Sequence, residues 1–196
     1  VAGALGAYVL LAAIYLLYLP YAEFVLDDWF VLGKYEAARA GGPAELGRVA
    51  LAIVQNQLHG QFRFQWLSFL LGYLEWLAVG YSPKAVLLVS LGLHVACALA
   101  LRAAVAKLGL GEAQGFLAGA LFLVLPTTHG ALLWSFNCAF FLWSTLWFLL
   151  YLEAVAARRG VGRQVVFLLL ALFSGDPVFV LLLAAPVVAW RGWRPV

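Results

Sequence analysis

Charge is scarce in this chain. Only 11% of its 196 residues are Asp, Glu, Lys or Arg, where soluble domains carry about a quarter, and 66% are hydrophobic. With a mean hydropathy of +0.99, that shortage excludes an ordinary soluble domain and identifies an integral membrane protein. Cysteine is nearly missing as well. Cys97 and Cys138 both lie in apolar stretches, where a free thiol behaves as a small hydrophobe, so neither a disulfide framework nor a metal centre is expected. No P-loop, dinucleotide fingerprint, HExxH pair or nucleophile elbow occurs, which leaves the chemistries tied to those motifs without a carrier. The net charge of +3 would suggest nucleic acid in a soluble protein. Here Lys and Arg stand at the ends of apolar runs, so they read as topology signals and no nucleic-acid partner is expected.

What is present is a series of apolar runs. A bilayer core about 30 Å thick takes about 20 apolar residues per helix, which leaves room for about six membrane helices and one large loop. The expected fold is therefore all-α, a polytopic transmembrane helix bundle forming a single domain over residues 1–196. Residues 1–20 form the first membrane helix, ended by Pro20; without a basic n-region or a small-residue cleavage site they read as a retained helix, not a signal peptide. The chain opens at Val1 and closes in "RGWRPV" just after an apolar run, a pattern that admits further chain on either side.

Residues 21–84 form an outer loop with amphipathic interfacial helices. In "DDWFVLGKYEAARAG" the first such helix puts Trp29, Leu32 and Tyr35 on one face and is closed by Gly41 and Gly42. A second runs from Glu45 to about Leu58. A third, Phe64 to Val79, carries Glu75 and two tryptophans in 16 residues and lies at the interface.

Residues 85–196 supply the remaining membrane helices. Ala85–Ala106 is a clear span, and Gly115–Leu125 is a shorter one beginning near Glu112 and stopping at Pro126. Ala131–Ala157 follows, and a short hairpin over 165–190 turns at "SGDP". The hairpin is preferred to one kinked helix because it puts Arg191 and Arg194 on the same side as Arg158, Arg159 and Arg163. That basic side is assigned as cytoplasmic, in a plasma (inner) membrane, with the Asp27 loop outside.

Three carboxylates in "YAEFVLDDWF" directly follow the first helix. Asp27 and Asp28 have a plain role as N-caps of the next helix, and Asp176 can likewise cap the last one. Two acidic points and His129 nevertheless collect on one face. Paired carboxylates there can act as a base and its tuner, or hold a divalent cation. His94, mid-helix, is expected to hydrogen-bond between helices.

The order of these features resembles the N-terminal half of the GT-C class of polytopic glycosyltransferases, in particular the protein O-mannosyltransferase-like and TPR-linked mannosyltransferase-like members. "FRFQWLSFLLGYLEWLAVGYSPKAVLLVSLGLHVACALAL" is similar to their "RPLS...LFGLNPxxxHLxNLLLH", with Arg63, Pro83 and His94 in matching places. "ALFLVLPTTHGALLW" is similar to "ALLFALHPLHVEAVAW", and "LFSGDP" to "LLSKE". The resemblance implies transfer of a sugar from a polyprenyl-phosphate donor to an acceptor outside the membrane. Asp27 would be the catalytic acid of the first loop, assisted by Asp28. Arg63 would lie near the donor phosphate and Asp176 would line the same cavity; His129, on the same face, is a substrate-binding candidate by its position and not by the resemblance.

The family's Pro after the Arg is Phe64 here, its His and Glu are Thr128 and Gly130, and its hairpin Lys is Gly175. Those departures favour an alternative, a non-catalytic GT-C-like subunit packed against other membrane proteins. A transporter is a third class, ranked lowest because no inverted repeat is visible. Membrane lipid is a partner in every case.

Overall fold

The computed structural model describes residues 2–24, 26–56, 66–125 and 135–174. Among the described residues the chain is all-helical, without a strand. The first helix, α1 (Ala2–Ala12), continues as a 3₁₀ segment, Ala13–Tyr21. Pro20 therefore sits inside the final turn and does not end the helix as expected. Its fixed φ suits 3₁₀ winding, and the chain leaves the helix at Ala22, where ψ turns to 118°.

Helix α2 (Leu26–Asn56) is two arms joined at an elbow. Gly42 adopts φ +69° there, a left-handed conformation open to glycine, and Pro43 follows as the first residue of the second arm. A Cβ on Gly41 would stand 2.3 Å from Glu45 Cβ, so the elbow needs glycine at both positions. Two helices meeting at Gly41–Gly42 are what the sequence predicts here. Helix α3 (Trp66–Val79) is the described part of the third.

Helix α4 (Pro83–Val105) begins two residues before the expected start, because Ser82 Oγ accepts the Ala85 N–H at 3.3 Å and Pro83 takes the first helical position. It runs on through a wider turn, Ala106–Leu110, in which Gly109 reverses the chain at φ +83°. Helix α5 (Glu112–Val124) returns antiparallel to it, and Arg102 is paired with Glu112 at 2.6 Å across the turn. Helices α6 (Ser135–Ala156) and α7 (Val161–Leu172) form the last described pair, with Trp147 stacked on Phe167. The hairpin expected over 165–190 is described only to Ser174; its turn and second half lie outside the described residues.

The α1–α4–α5 contact is made by small residues. Gly115 and Gly119 stand one turn apart on α5, and Cβ atoms there would come within 2.7 Å of the Arg102 and Ala98 carbonyl oxygens. Such small-xxx-small faces let membrane helices approach backbone to backbone. Into this contact α1 and the 3₁₀ segment after it each send a tyrosine, seven residues apart. Tyr8 donates to the Phe116 carbonyl at 2.9 Å and Tyr15 to the Leu123 carbonyl at 2.5 Å, so α1 and α5 run parallel. Beside them His94 Nε2 lies 3.4 Å from the Leu123 carbonyl, the inter-helix placement expected of it.

Two of the described helices are long and apolar enough to cross a bilayer, Gly3–Tyr21 and Pro83–Leu110. The helices Trp66–Val79, Glu112–Val124, Phe141–Ala156 and Val161–Leu172 are apolar but shorter.

Candidate functional site at the seam of α2 and α3

Helix α2 starts with the acidic pair. Carboxylates in a first turn face free backbone N–H groups and the positive end of the helix dipole, which accounts locally for Asp27 and Asp28. Asp28 is fully buried, at 0% exposure, while the Asp27 side chain lies outside the described set.

The buried stripe of the first arm is Asp28, Leu32 and Tyr35, spaced i, i+4, i+7 as one helical face requires. The expected face of Trp29, Leu32 and Tyr35 is corrected by this stripe. Trp29 is rotated about 100° from Asp28 and is largely exposed.

Against the stripe packs α3. Tyr35 enters an aromatic box made by Phe69, Tyr73 and Trp76, with ring centroids 5.0, 5.7 and 5.9 Å from its own. Arg39 covers the Trp76 ring at 5.4 Å, and Tyr81 donates its hydroxyl proton to Glu36 beside it. Glu75 closes the set. It is 9% exposed on the α3 face that also carries Ser68 and Gly72, and neither of its carboxylate oxygens has a hydrogen-bond partner among the described residues.

Burial pushes the Glu75 carboxyl from 4.5 up to about 7, because the charged form loses hydration and gains no donor. The Tyr35 phenol is held far above its ordinary range by burial, then by the Glu75 and Asp28 carboxylates, so it stays neutral. The seam thus holds a carboxyl that exchanges its proton near neutrality, a second buried acid, and a phenol able to donate or accept. That set can take or return the proton of a hydroxyl group.

At the other end of α3 the Leu67 N–H donates to the Phe173 carbonyl at 3.1 Å and Ser68 Oγ to the Ser174 carbonyl at 2.5 Å. The end of α7 therefore caps the start of α3. Arg63, His129 and Asp176 lie outside the described residues. The described segments nearest Arg63 and Asp176, which start at Trp66 and end at Ser174, touch each other, Trp66 against Phe173 at 5.3 Å. Among the described residues no three His, Cys, Asp or Glu side chains are grouped closely enough to hold a metal ion. Cys97 is buried, with its thiol toward the Leu142 carbonyl at 3.4 Å.

The sequence reading singled out Asp28 but passed over Glu75 and Tyr35 as site residues. The signal for Glu75 was available: one acid in the otherwise apolar "WLSFLLGYLEWLAV", since an ionisable group in such a helix marks a functional site by default. No protein-family model, curated protein sequence or solved structure matches this chain.

Proposed function

We propose that the chain is the membrane module of a glycosyltransferase that takes a sugar from a polyprenyl-phosphate donor on the outer face of the plasma membrane. The carrying observation is the acid Asp28, buried at the start of the first-loop helix beside the Tyr35 box and the near-neutral Glu75 carboxyl. Outward apolar surface supports the membrane setting: Leu10 and Leu17 of the first helix are 77% and 71% exposed, which water disfavours and lipid does not.

In this reading the bundle has about six membrane helices, with the Asp27 loop outside and the Arg158 loop cytoplasmic. Asp27, assisted by Asp28, accepts the proton of the acceptor hydroxyl as its oxygen bonds to the anomeric carbon. The bond to the donor phosphate breaks, and Arg63 stabilises the charge that develops there. His129 and Asp176 line the substrate cavity.

A second reading, a non-catalytic GT-C-like subunit, is favoured by the complete closure of Asp28 and by Phe64, Thr128, Gly130 and Gly175 at the family's functional positions. The two separate in proteoliposomes supplied with polyprenyl-phosphate-linked sugar and acceptor. Asp27→Asn is expected to lower transfer about 100-fold, as loss of a general base does, with thermal unfolding unchanged. Turnover equal to the parent chain contradicts a catalytic Asp27. No transfer by the parent chain itself favours the second reading.

A further inference from the structure

The outer side of α2 carries a second site, unrelated to the buried acids. Its two arms meet at the Gly41–Pro43 elbow and enclose a groove of about 490 Å³. That volume falls in the usual range for small-molecule sites, about 300 to 1,000 Å³. The walls are apolar, with Trp29 and Phe30 on the first arm and Val49 and Ile53 on the second. Among the described residues the ionisable side chains lining it are both cationic, Lys34 and Arg48, and no carboxylate lines it.

Lys34 Nζ rests 4.2 Å over the Phe30 ring, and its partial burial lowers the ammonium's pKa. Arg48 is fixed from below. Its Nε and Nη2 donate to Glu45, which holds the guanidinium at the groove wall. Trp29 and Phe30 are also 57% and 68% exposed, as aromatic residues at a membrane–water interface are.

We propose that this groove binds an anionic membrane lipid, taking its headgroup phosphate between Lys34 and Arg48 and the upper part of an acyl chain against Trp29, Phe30, Val49 and Ile53. Charge complementarity selects the occupant: a zwitterionic lipid brings its own cation to the same place, and a wholly apolar ligand leaves the Lys34 ammonium unused. The inference rests on α2 lying at the membrane surface and not on the transferase chemistry.

The test uses the full chain in phosphatidylcholine vesicles, doped with brominated phosphatidylglycerol or with the same fraction of brominated phosphatidylcholine. The quenching of Trp29 is obtained as the difference between the parent chain and Trp29→Phe. The anionic quencher is expected to be about tenfold more effective, and the Lys34→Gln, Arg48→Gln double variant to lose that preference. Gly33→Leu, at a groove position where an added Cβ meets nothing within 4 Å, is expected to fold and to reduce quenching by both lipids. Soluble glycerol phosphate is expected not to compete.

Equal quenching by the two lipids overturns the proposal, as does a preference that survives the double variant. Displacement by glycerol phosphate shows a site for soluble phosphate and overturns the lipid assignment. Asp27→Asn leaves the quenching unchanged whatever it does to sugar transfer, so the two proposals fail separately.

Discussion

Replacing Glu75 by glutamine is expected to flatten the pH dependence of stability and to make the protein more stable above neutrality. The carboxyl titrates at about 7 in the fold and at its ordinary 4.5 when the chain unfolds. The folded state therefore holds the proton more tightly, and unfolding releases it between those two values. Stability falls as pH rises through that window, because the unfolded state then binds fewer protons than the native one. Below about 4.5 the carboxyl is neutral in both states and costs nothing; above about 7 the whole cost is present.

At 1.36 kcal/mol per pH unit that cost is about 3 kcal/mol. Glutamine keeps the shape and never ionises. In detergent, the parent chain is expected to lose thermal stability from about pH 4.5 to about pH 7, with Glu75→Gln losing much less. Parallel curves for the two proteins would show Glu75 to be hydrated and the seam to be open. Retaining so costly an acid is consistent with a working role for it, in keeping with the proton transfer proposed at this seam.

The second large effect is an inversion of sign between two glycine-to-alanine changes. Both glycines lie in helices, where alanine normally stabilises by about 0.5 to 1 kcal/mol. Gly33 has open space where a Cβ would go and is expected to follow that rule. At Gly119 a Cβ would meet Tyr8 Oη at 2.2 Å, Tyr8 Cζ at 2.6 Å and the Ala98 carbonyl oxygen at 2.7 Å. One of those neighbours is backbone, so α4 and α5 must separate. Tyr8 must also shift, which puts its bond to the Phe116 carbonyl at risk.

Gly119→Ala is therefore expected to destabilise by about 2 to 3 kcal/mol, through overpacking together with a strained or lost hydrogen bond. Thermal unfolding of both variants against the parent chain reads the result. An unfolding temperature for Gly119→Ala at or above that of the parent would mean that α1 does not dock on α5 as described.

Much of the helical order was legible from local rules. Gly41–Gly42 break α2 and the glycine-containing turn after α4 ends it, because left-handed glycines act within a few residues, while the Ser82–Pro83 cap starts α4 two residues ahead of the expected Ala85. The inter-helix lock was not legible. Tyr8 and Phe116 are 108 residues apart, and nothing local pairs a tyrosine on one apolar helix with a glycine face on another.

The candidate site divides in the same way. That acids gather after the first helix is plain from the sequence, but the burial of Asp28 depends on how the helix is rotated about its axis. The Leu32 and Tyr35 stripe fixes that rotation and turns Asp28 inward. Glu75 shows in the sequence as a lone acid, yet its raised proton affinity comes from burial in the folded bundle, which no periodicity reports.

The proposed topology puts the first loop, with its acids, on the opposite side of a membrane from the α6–α7 turn. Both natural cysteines are replaced, Cys97→Ala and Cys138→Ala, and single cysteines are introduced by Ala44→Cys in the second arm of α2 or by Arg159→Cys between α6 and α7. Intact cells are then treated with a membrane-impermeant maleimide. The account predicts labelling of the Ala44→Cys protein from outside, and of the Arg159→Cys protein only after permeabilisation. Labelling of both from the same side, or in the reverse order, would contradict it.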